Sequence, residues 1–402
     1  MIRNISPYQF ALFRIVLGAY LFIHFVMLLP YAAELWSNEG VLPQASLNLT
    51  YGLFPNILYC IDYPWFVVVF IGLLTLLSLM LVTGFKRNWV CLILWYGWAC
   101  LFNRNNLISN PGIPFIGWLL LAMATIPAGE PWTFKSQKDT DWAFPPVLFW
   151  GAWALMAIGH TISGYDKLQS PSWANGEAMG FLLDNPLARD WFLTDWLAAL
   201  PIPVLKIMTW SVLGVELFFL PLSIWSRTRP FAWLAMIGVH LGILLVVDFA
   251  DLTFGMLMIH FFTFDARWLN SKKTNSIVYF DGVCGICNGA IDFLITENLQ
   301  EEMKFTALQG ETAKQNLGIT SSADLTTIVF QQAGKTYVKS EAIIQIALAT
   351  GGIWGLASVF YLIPKRFRNY LYDLLATNRY NLAEKKEACR IPSSEERKRF
   401  LP

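Results

Sequence analysis

Between Tyr8 and Trp268 the chain carries eight apolar stretches, each bounded by charges or by Pro, Gly and Asn clusters. They run Tyr8–Leu29, Trp65–Thr83, Asn88–Phe102, Ile113–Ala128, Phe144–Ile162, Val204–Ile224, Phe231–Val247 and Leu252–Trp268. A bilayer crossing takes about 20 mainly apolar residues. This half is therefore expected to form a multi-span α-helical membrane bundle of about eight transmembrane helices. The third, fourth and last two stretches are short, which calls for tilt, local thinning or a tight pair around Asp248 and Asp251. Only 14% of the residues are charged, against about 25% in ordinary soluble domains.

The charge is unevenly spread. Residues 1–263 hold 12 Lys and Arg and 14 Asp and Glu, leaving 17 and 14 for residues 264–402. All four His and 16 of the 18 Trp lie in the first part. Two chemically different domains are expected: 1–270 in the membrane, 275–392 as a soluble α/β domain, and 393–402 as a charged, solvated tail. A net charge of +1 supplies no field for a polyanion, so nucleic acid is excluded as a partner.

Lys and Arg are retained on the cytoplasmic side. With the N-terminus inside, Arg3, Lys86, Arg87, Lys135, Lys138, Arg227, Arg229, Arg267, Lys272 and Lys273 are cytoplasmic, ten residues against Arg104, Lys167 and Arg189 outside. Both termini are thus expected in the cytoplasm, in the plasma (inner) membrane of a bacterium. The first apolar run ends in Leu29-Pro30-Tyr31 rather than a small-residue cleavage site, so no cleavable signal peptide is expected. In the outer loop Ser163–Pro203, residues 190–197 read as an interfacial helix or as a cover over the bundle.

Ionisable residues inside spans are costly and default to functional candidates. His24, His160, Glu216, His240 and His260 qualify, together with Arg14. Packing through hydrogen bonds to a neighbouring helix is the alternative for each.

After Lys272-Lys273 the pattern changes to short β-rich runs and amphipathic helices. Ile277–Phe280 reads as a buried strand and Asn288–Thr296 as a helix. Lys304–Leu308 is a second strand. Leu325–Phe330 and Thr336–Lys339 form a hairpin, and Ser340 caps a helix over Glu341–Ala349. The order β-α-β-(α)-β-β-α is that of a thioredoxin-like fold. Cys284-Gly285-Ile286-Cys287 falls where the first strand meets the first helix. Helix N–H groups there favour a thiolate, making Cys284 the nucleophile and Cys287 the resolving thiol. Zinc is the competing reading, but it needs four ligands. This half offers Cys284, Cys287 and Cys389 with no His, so no metal centre is expected.

The string Tyr279-Phe280-Asp281-Gly282-Val283-Cys284-Gly285-Ile286-Cys287-Asn288 resembles the DCC family of thiol-disulfide oxidoreductases, as do Phe305–Gln309, Ser340-Glu341-Ala342-Ile343, Ile363–Arg368, Tyr372, Asn378-Arg379-Tyr380 and Cys389-Arg390. The resemblance implies that Cys284 attacks, Cys287 resolves and Asp281 handles protons. Arg379 is a candidate partner for Asp281, with a surface helix arginine as the alternative. The run Ser322–Thr327 lacks the proline that classical thioredoxins place before the third strand, so docking of extended peptides does not carry over.

In the first half, His160-Thr161-Ile162-Ser163-Gly164-Tyr165-Asp166-Lys167-Leu168 with Trp173 and Gly176 resembles the span-end motif of the HTTM family. That family includes the membrane part of vitamin K-dependent γ-glutamyl carboxylase. Val215–Pro221, His240 and Phe254–His260 extend the likeness. It implies that Lys167 is a base acting on a reduced quinone on the non-cytoplasmic side, desolvated among Tyr165, Leu168 and Trp173. A lysine at the interface, paired with Asp166 or Glu177, is the alternative. The carboxylase's large lumenal domain has no counterpart here, so peptide carboxylation does not carry over.

Three functions follow as expectations. The first is a membrane thiol-disulfide oxidoreductase with a cytosolic dithiol, serving a partner protein or small thiol. It has no obligatory cofactor, a quinone being the candidate carrier held by His160, Glu216, His240 and His260. The second is a carboxylase-like or quinone-modifying enzyme using Lys167. The third is a membrane redox sensor or scaffold. Cys60 and Cys100 both map near the outer face, which puts an outer disulfide among the options.

Overall fold

The computed structural model describes residues 5–134, 142–269, 275–297, 303–318, 327–382 and 392–402. The chain divides into two compact units, Met1–Phe264 and Asp265–Pro402.

The first unit is mainly helical. Its principal helices are α1 (Pro7–Leu28), α2 (Pro64–Thr83), α3 (Arg87–Arg104), α4 (Gly112–Thr125), α5 (Pro146–Gln169), α6 (Phe192–Ala198), α7 (Ile202–Leu217), α8 (Phe219–Ile224), α9 (Arg229–Val246) and α10 (Ala250–Phe262). Helix α1 starts where Ser6 accepts the Gln9 N–H at 3.0 Å and Pro7 occupies the first position. Among the described residues, four helical segments are long and apolar enough to cross a membrane: Pro7–Trp36, Pro64–Thr83, Pro146–Gln169 and Arg229–Val246. A fifth arises if α6 and α7, bent by 109°, count as one span.

The other expected spans are helical but fail on length or polarity. Helix α3 carries Arg87, Asn88 and Arg104 at its ends. Helix α4 stops at Thr125 because Ile126 precedes a proline and is extended. The stretch Val204–Ile224 breaks at Phe218, where Pro221 has no N–H to offer the carbonyl four residues back.

Burial in this unit is inverted relative to a soluble protein. Trp65, Val69, Leu73 and Leu76 of α2 are exposed, while Thr75 and Ser78 of the same helix are buried, as are Arg14 and Arg104. Such a unit is consistent with a membrane protein: lipid solvates the apolar face, and polar groups are satisfied inside.

Glu130 ties one end together. Its carboxylate takes Arg87 Nε at 2.8 Å and faces Arg14 Nε at 3.4 Å. Arg14 also donates to the carbonyls of Leu81, Val82 and Trp132, and Arg87 to those of Met123, Ile126 and Pro127. Gly84 (φ 72°) turns the chain between α2 and α3, and a Cβ there would lie 2.9 Å from the Arg14 guanidinium. Arg104, counted outside by loop charge, is itself buried against Asp62 and the carbonyls of Ser37, Leu42 and Pro43.

The second unit is built on a mixed four-stranded sheet. Its elements are β1 (Ser276–Phe280), α11 (Gly285–Glu297), β2 (Met303–Ala307), α12 (Glu311–Leu317), β3 (Val329–Gln332), β4 (Lys335–Val338), α13 (Lys339–Thr350) and α14 (Lys365–Leu382). The strand order is β2-β1-β3-β4, with β1 parallel to β2 and antiparallel to β3. Strand β1 is covered on both faces. Val278 and Phe280 pack with Ile291, Leu294, Phe305 and Phe330, while Tyr279 packs oppositely with Leu308, Ala313 and Val329.

Two expectations are corrected here. Ser340 is not a cap: it lies inside α13, whose N-cap is Val338, and its hydroxyl bonds Asn369 Oδ1 at 2.5 Å. The end of the 393–402 segment is not a solvated tail. Leu401 N–H donates to Phe305 O at 2.8 Å, Phe400 packs on Phe305, and Arg399 is buried against the carbonyls of Met303 and Ile295. Two apolar residues and a guanidinium bonded to two backbone carbonyls outweigh the charges around them.

Candidate functional site

The dithiol sits at the C-terminal end of β1. Strand β1 delivers Asp281, the turn Gly282-Val283 follows, and α11 opens at Gly285. Cys284 is therefore placed where helix N–H groups lack intrahelical acceptors. The Cys287 N–H points at Cys284 Sγ at 3.4 Å. Both thiols are free. Cys284 is 0% exposed, whereas Cys287 is half-buried. Burial first, then the hydrogen bond and charge of Cys284, then Asp281, push the Cys287 thiol up to about 12. Cys287 therefore holds its proton while Cys284 receives the helix N–H, an asymmetry that suits attack by Cys284 and resolution by Cys287. Access runs the other way, so attack by Cys284 requires its cover to open.

Asp281 is a buried carboxylate with named partners. Its Oδ1 accepts Gln309 Nε2 at 2.9 Å and the Val283 N–H at 3.2 Å, and its Oδ2 lies 3.3 Å from Arg379. Gln309 in turn accepts the Gly282 N–H at 3.1 Å, and Asn288 Nδ2 donates to Gly282 O. The loop before the dithiol is thus held by Gln309 and Asn288, whose roles sequence reading missed. Arg379 is on Asp281 rather than on the surface. Cys389 and most of the run Ser322–Thr327 lie outside the described residues.

The membrane-half candidates separate into three groups. Lys167 is bidentate on Glu216 at 2.5 and 2.6 Å, with Ser163 bridging both and the Trp173 ring 5.0 Å from its ammonium. Its partner is neither Asp166 nor Glu177. Gly164 makes the pair possible, since a Cβ there would lie 2.7 Å from Leu217 N and hold α5 away from α7. Lys167 is therefore an ion-paired residue, not the lone desolvated amine that the motif implies.

His24 belongs to a second group. Its Nδ1 lies 2.7 Å from Asp251 Oδ1, which also accepts Tyr20 Oη at 2.8 Å, and Asn110 donates to Asp251 Oδ2 at 3.1 Å. Tyr20, His24 and Asp251 line a cavity of about 450 Å³ walled by Trp36, Trp98, Phe249 and Phe254. Sequence reading placed Asp251 in a turn. Its position at the head of an apolar run was the signal that it faces inward.

The third group is His160, His240 and His260, from α5, α9 and α10. Their rings lie 5.1 to 5.6 Å apart, centroid to centroid, and all three are buried. Among the described residues, this is the group of side chains placed to hold a metal, and Glu216 is engaged elsewhere. Cys60 and Cys100 are free, so the outer disulfide does not form.

Residues 278–385 match the family model described as DCC1-like thiol-disulfide oxidoreductase. The chain is 38% identical over 131 residues to the uncharacterized protein YuxK of Bacillus subtilis, covering 32% of this chain and 95% of that protein. It is 31% identical over 118 residues to a chloroplastic DCC family protein of Arabidopsis thaliana, covering 29% and 69%. No solved structure matches. With its dithiol at the strand–helix junction, the family match over residues 278–385 and these relatives, the chain belongs to the DCC1-like thiol-disulfide oxidoreductase family.

Proposed function

We propose that the protein is an integral membrane thiol-disulfide oxidoreductase with a thioredoxin-like domain, whose Cys284–Cys287 dithiol faces the cytoplasm of a bacterium. The observation that carries this is the Cys284–Cys287 pair at the strand–helix junction, with the Cys287 N–H aimed at Cys284 Sγ at 3.4 Å. Cys284 Sγ, as thiolate, attacks a disulfide of a partner protein or small thiol. A mixed disulfide forms and the partner's other sulfur leaves as a thiolate. Cys287 then loses its proton and attacks Cys284 Sγ, so the partner departs as a dithiol and the domain as a disulfide, two electrons having passed to the partner. A cellular thiol restores the dithiol.

The eight apolar stretches are read as eight crossings, the short ones tilted, with both termini cytoplasmic. Burial of Arg104 sharpens the loop asymmetry, because one of three outside charges is internal. The likeness of residues 8–268 to the HTTM family belongs to this reading, with Glu216 as the partner of Lys167. A quinone is the lipid-soluble carrier, and the cavity beside His24 and Asp251 suits it better than the Lys167–Glu216 pair. Apolar walls meet an imidazole–carboxylate pair there. A quinone bound there would supply two-electron, two-proton chemistry.

Full-length protein in membranes, supplied with a thiol donor, should reduce a model disulfide. Cys284→Ser should abolish turnover and Lys167→Ala should leave it. Retained turnover in Cys284→Ser would overturn the proposal. A membrane-impermeant maleimide should label Cys287 only after the membrane is opened, and labelling in intact cells would place the dithiol outside.

A further inference from the structure

In the His160, His240 and His260 cluster, three buried rings with a spare nitrogen each come together in one place. Nε2 of each ring is buried with no hydrogen-bond partner. One ring nitrogen from each residue lies within 4.8 Å of the other two. Buried polar atoms are nearly always partnered. Three such rings, each able to act as a ligand and with ring nitrogens this close together, point to one shared cation rather than to three independent packing roles.

The tautomer of one ring is set. His260 Nδ1 meets Met256 O at 3.0 Å, and a carbonyl can only accept, so Nδ1 carries the proton and Nε2 keeps its lone pair free. A backbone carbonyl orienting a ring in this way is the usual support for a metal-ligating histidine. Phe219 packs on His160 and Trp233 on His260, so the rings are held by apolar neighbours. Neither neighbour is a carboxylate. Glu216, on the helix beside α5, has both oxygens committed to Lys167.

We propose that these three histidines bind one late first-row divalent transition metal ion, with zinc as the reference ion. Neutral imidazole nitrogens suit zinc, copper, nickel and iron rather than calcium or magnesium. Metal–nitrogen bonds of about 2.0–2.1 Å hold tetrahedral ligand atoms roughly 3.3 Å apart, so small side-chain rotations from the observed spacing close the site. Three protein ligands leave a fourth position open, the arrangement of catalytic rather than structural zinc. Sequence reading expected no metal because its search was confined to the cysteine-bearing half. The ligands come from three helices, with no ligand-spacing motif to reveal them.

The test uses full-length protein in detergent with Cys284→Ser and Cys287→Ser in place, so that the dithiol cannot take the metal. After chelator treatment it is reloaded with Zn²⁺ or Co²⁺ alone and freed of excess. About one ion per chain, a ligand-field spectrum of nitrogen-coordinated tetrahedral Co²⁺ and a metal-dependent rise in Tm are expected. Losing one ligand should weaken binding by at least the ~100-fold reached by loss of a supporting contact. His160→Gln, His240→Gln and His260→Gln should each show this, and His24→Gln should not. Failure of the parent protein to retain either ion, or retention unchanged in all three histidine variants, would overturn the proposal. If a histidine variant does not fold, the Co²⁺ spectrum of the parent decides, and an octahedral oxygen-ligand spectrum would count against the site.

Discussion

Glu130 with its two arginines and the trio His160, His240 and His260 are comparably buried, yet the first is far more richly hydrogen-bonded than the second. Around Glu130 the guanidiniums of Arg14 and Arg87 divide six backbone carbonyls and one carboxylate between them. In the histidine trio each ring keeps an unbonded Nε2. The first cluster has spent all but Arg14 Nε of its bonding capacity on its own fold, and the second has kept one ring nitrogen per residue for a ligand. Burial and charge alone do not separate structure from function inside a helix bundle. The accounting of donors and acceptors does.

The largest expected effect is at the Glu130 cluster. Glu130→Ala leaves two buried guanidiniums uncompensated and should cost about 3–5 kcal/mol, read as thermal unfolding of the protein in detergent. A loss under about 1 kcal/mol would mean that the carbonyls alone hold both arginines. Next is Gly164→Ala, where the added methyl meets the α7 backbone. Overpacking of this kind costs about 1–3 kcal/mol and should part Lys167 from Glu216. Unchanged stability would show that α5 and α7 separate freely.

A smaller effect concerns pH. Cys287, pushed up to about 12, keeps its proton in the fold after an unfolded thiol, at about 8.5, has lost one. Its contribution to stability is therefore fully present below about pH 8.5 and lost as pH rises toward about 12. Unfolding of the reduced chain should become easier across that window, and Cys287→Ser should remove that part of the slope. An identical slope in the variant would assign it elsewhere. The smallest effect is expected at the histidine trio. His240→Leu in metal-free protein gives up no hydrogen bond and should change stability by less than about 1 kcal/mol. A large loss without metal would make the trio a packing device and erase the contrast with Glu130.

The sequence disclosed what is local. Helices lie where the apolar stretches lie, because hydropathy and proline positions act over one or two turns. The dithiol stands at the strand–helix junction, because a C-x-x-C after a buried strand has few other places to go. Pairings across the bundle were hidden. His160 and His240 are separated by 80 positions, and nothing in either neighbourhood announces the other. Lys167 was read with the acids nearest in sequence, Asp166 and Glu177, because the glycine that lets Glu216 approach acts only once two helices meet. The burial of Cys284 was equally invisible, since a motif states which sulfur is activated but not what lies over it.

The seating of residues 399–402 on β2 bears on how this domain behaves in company. Strand β2 stands at the margin of the sheet, and an unpaired margin is a template for strand addition from another chain. Phe400 and Leu401 occupy that margin from within the same molecule. Removing them would leave the redox residues in place but open the sheet to self-association, so oligomer formation after such a deletion would reflect a lost edge guard rather than a change in thiol chemistry.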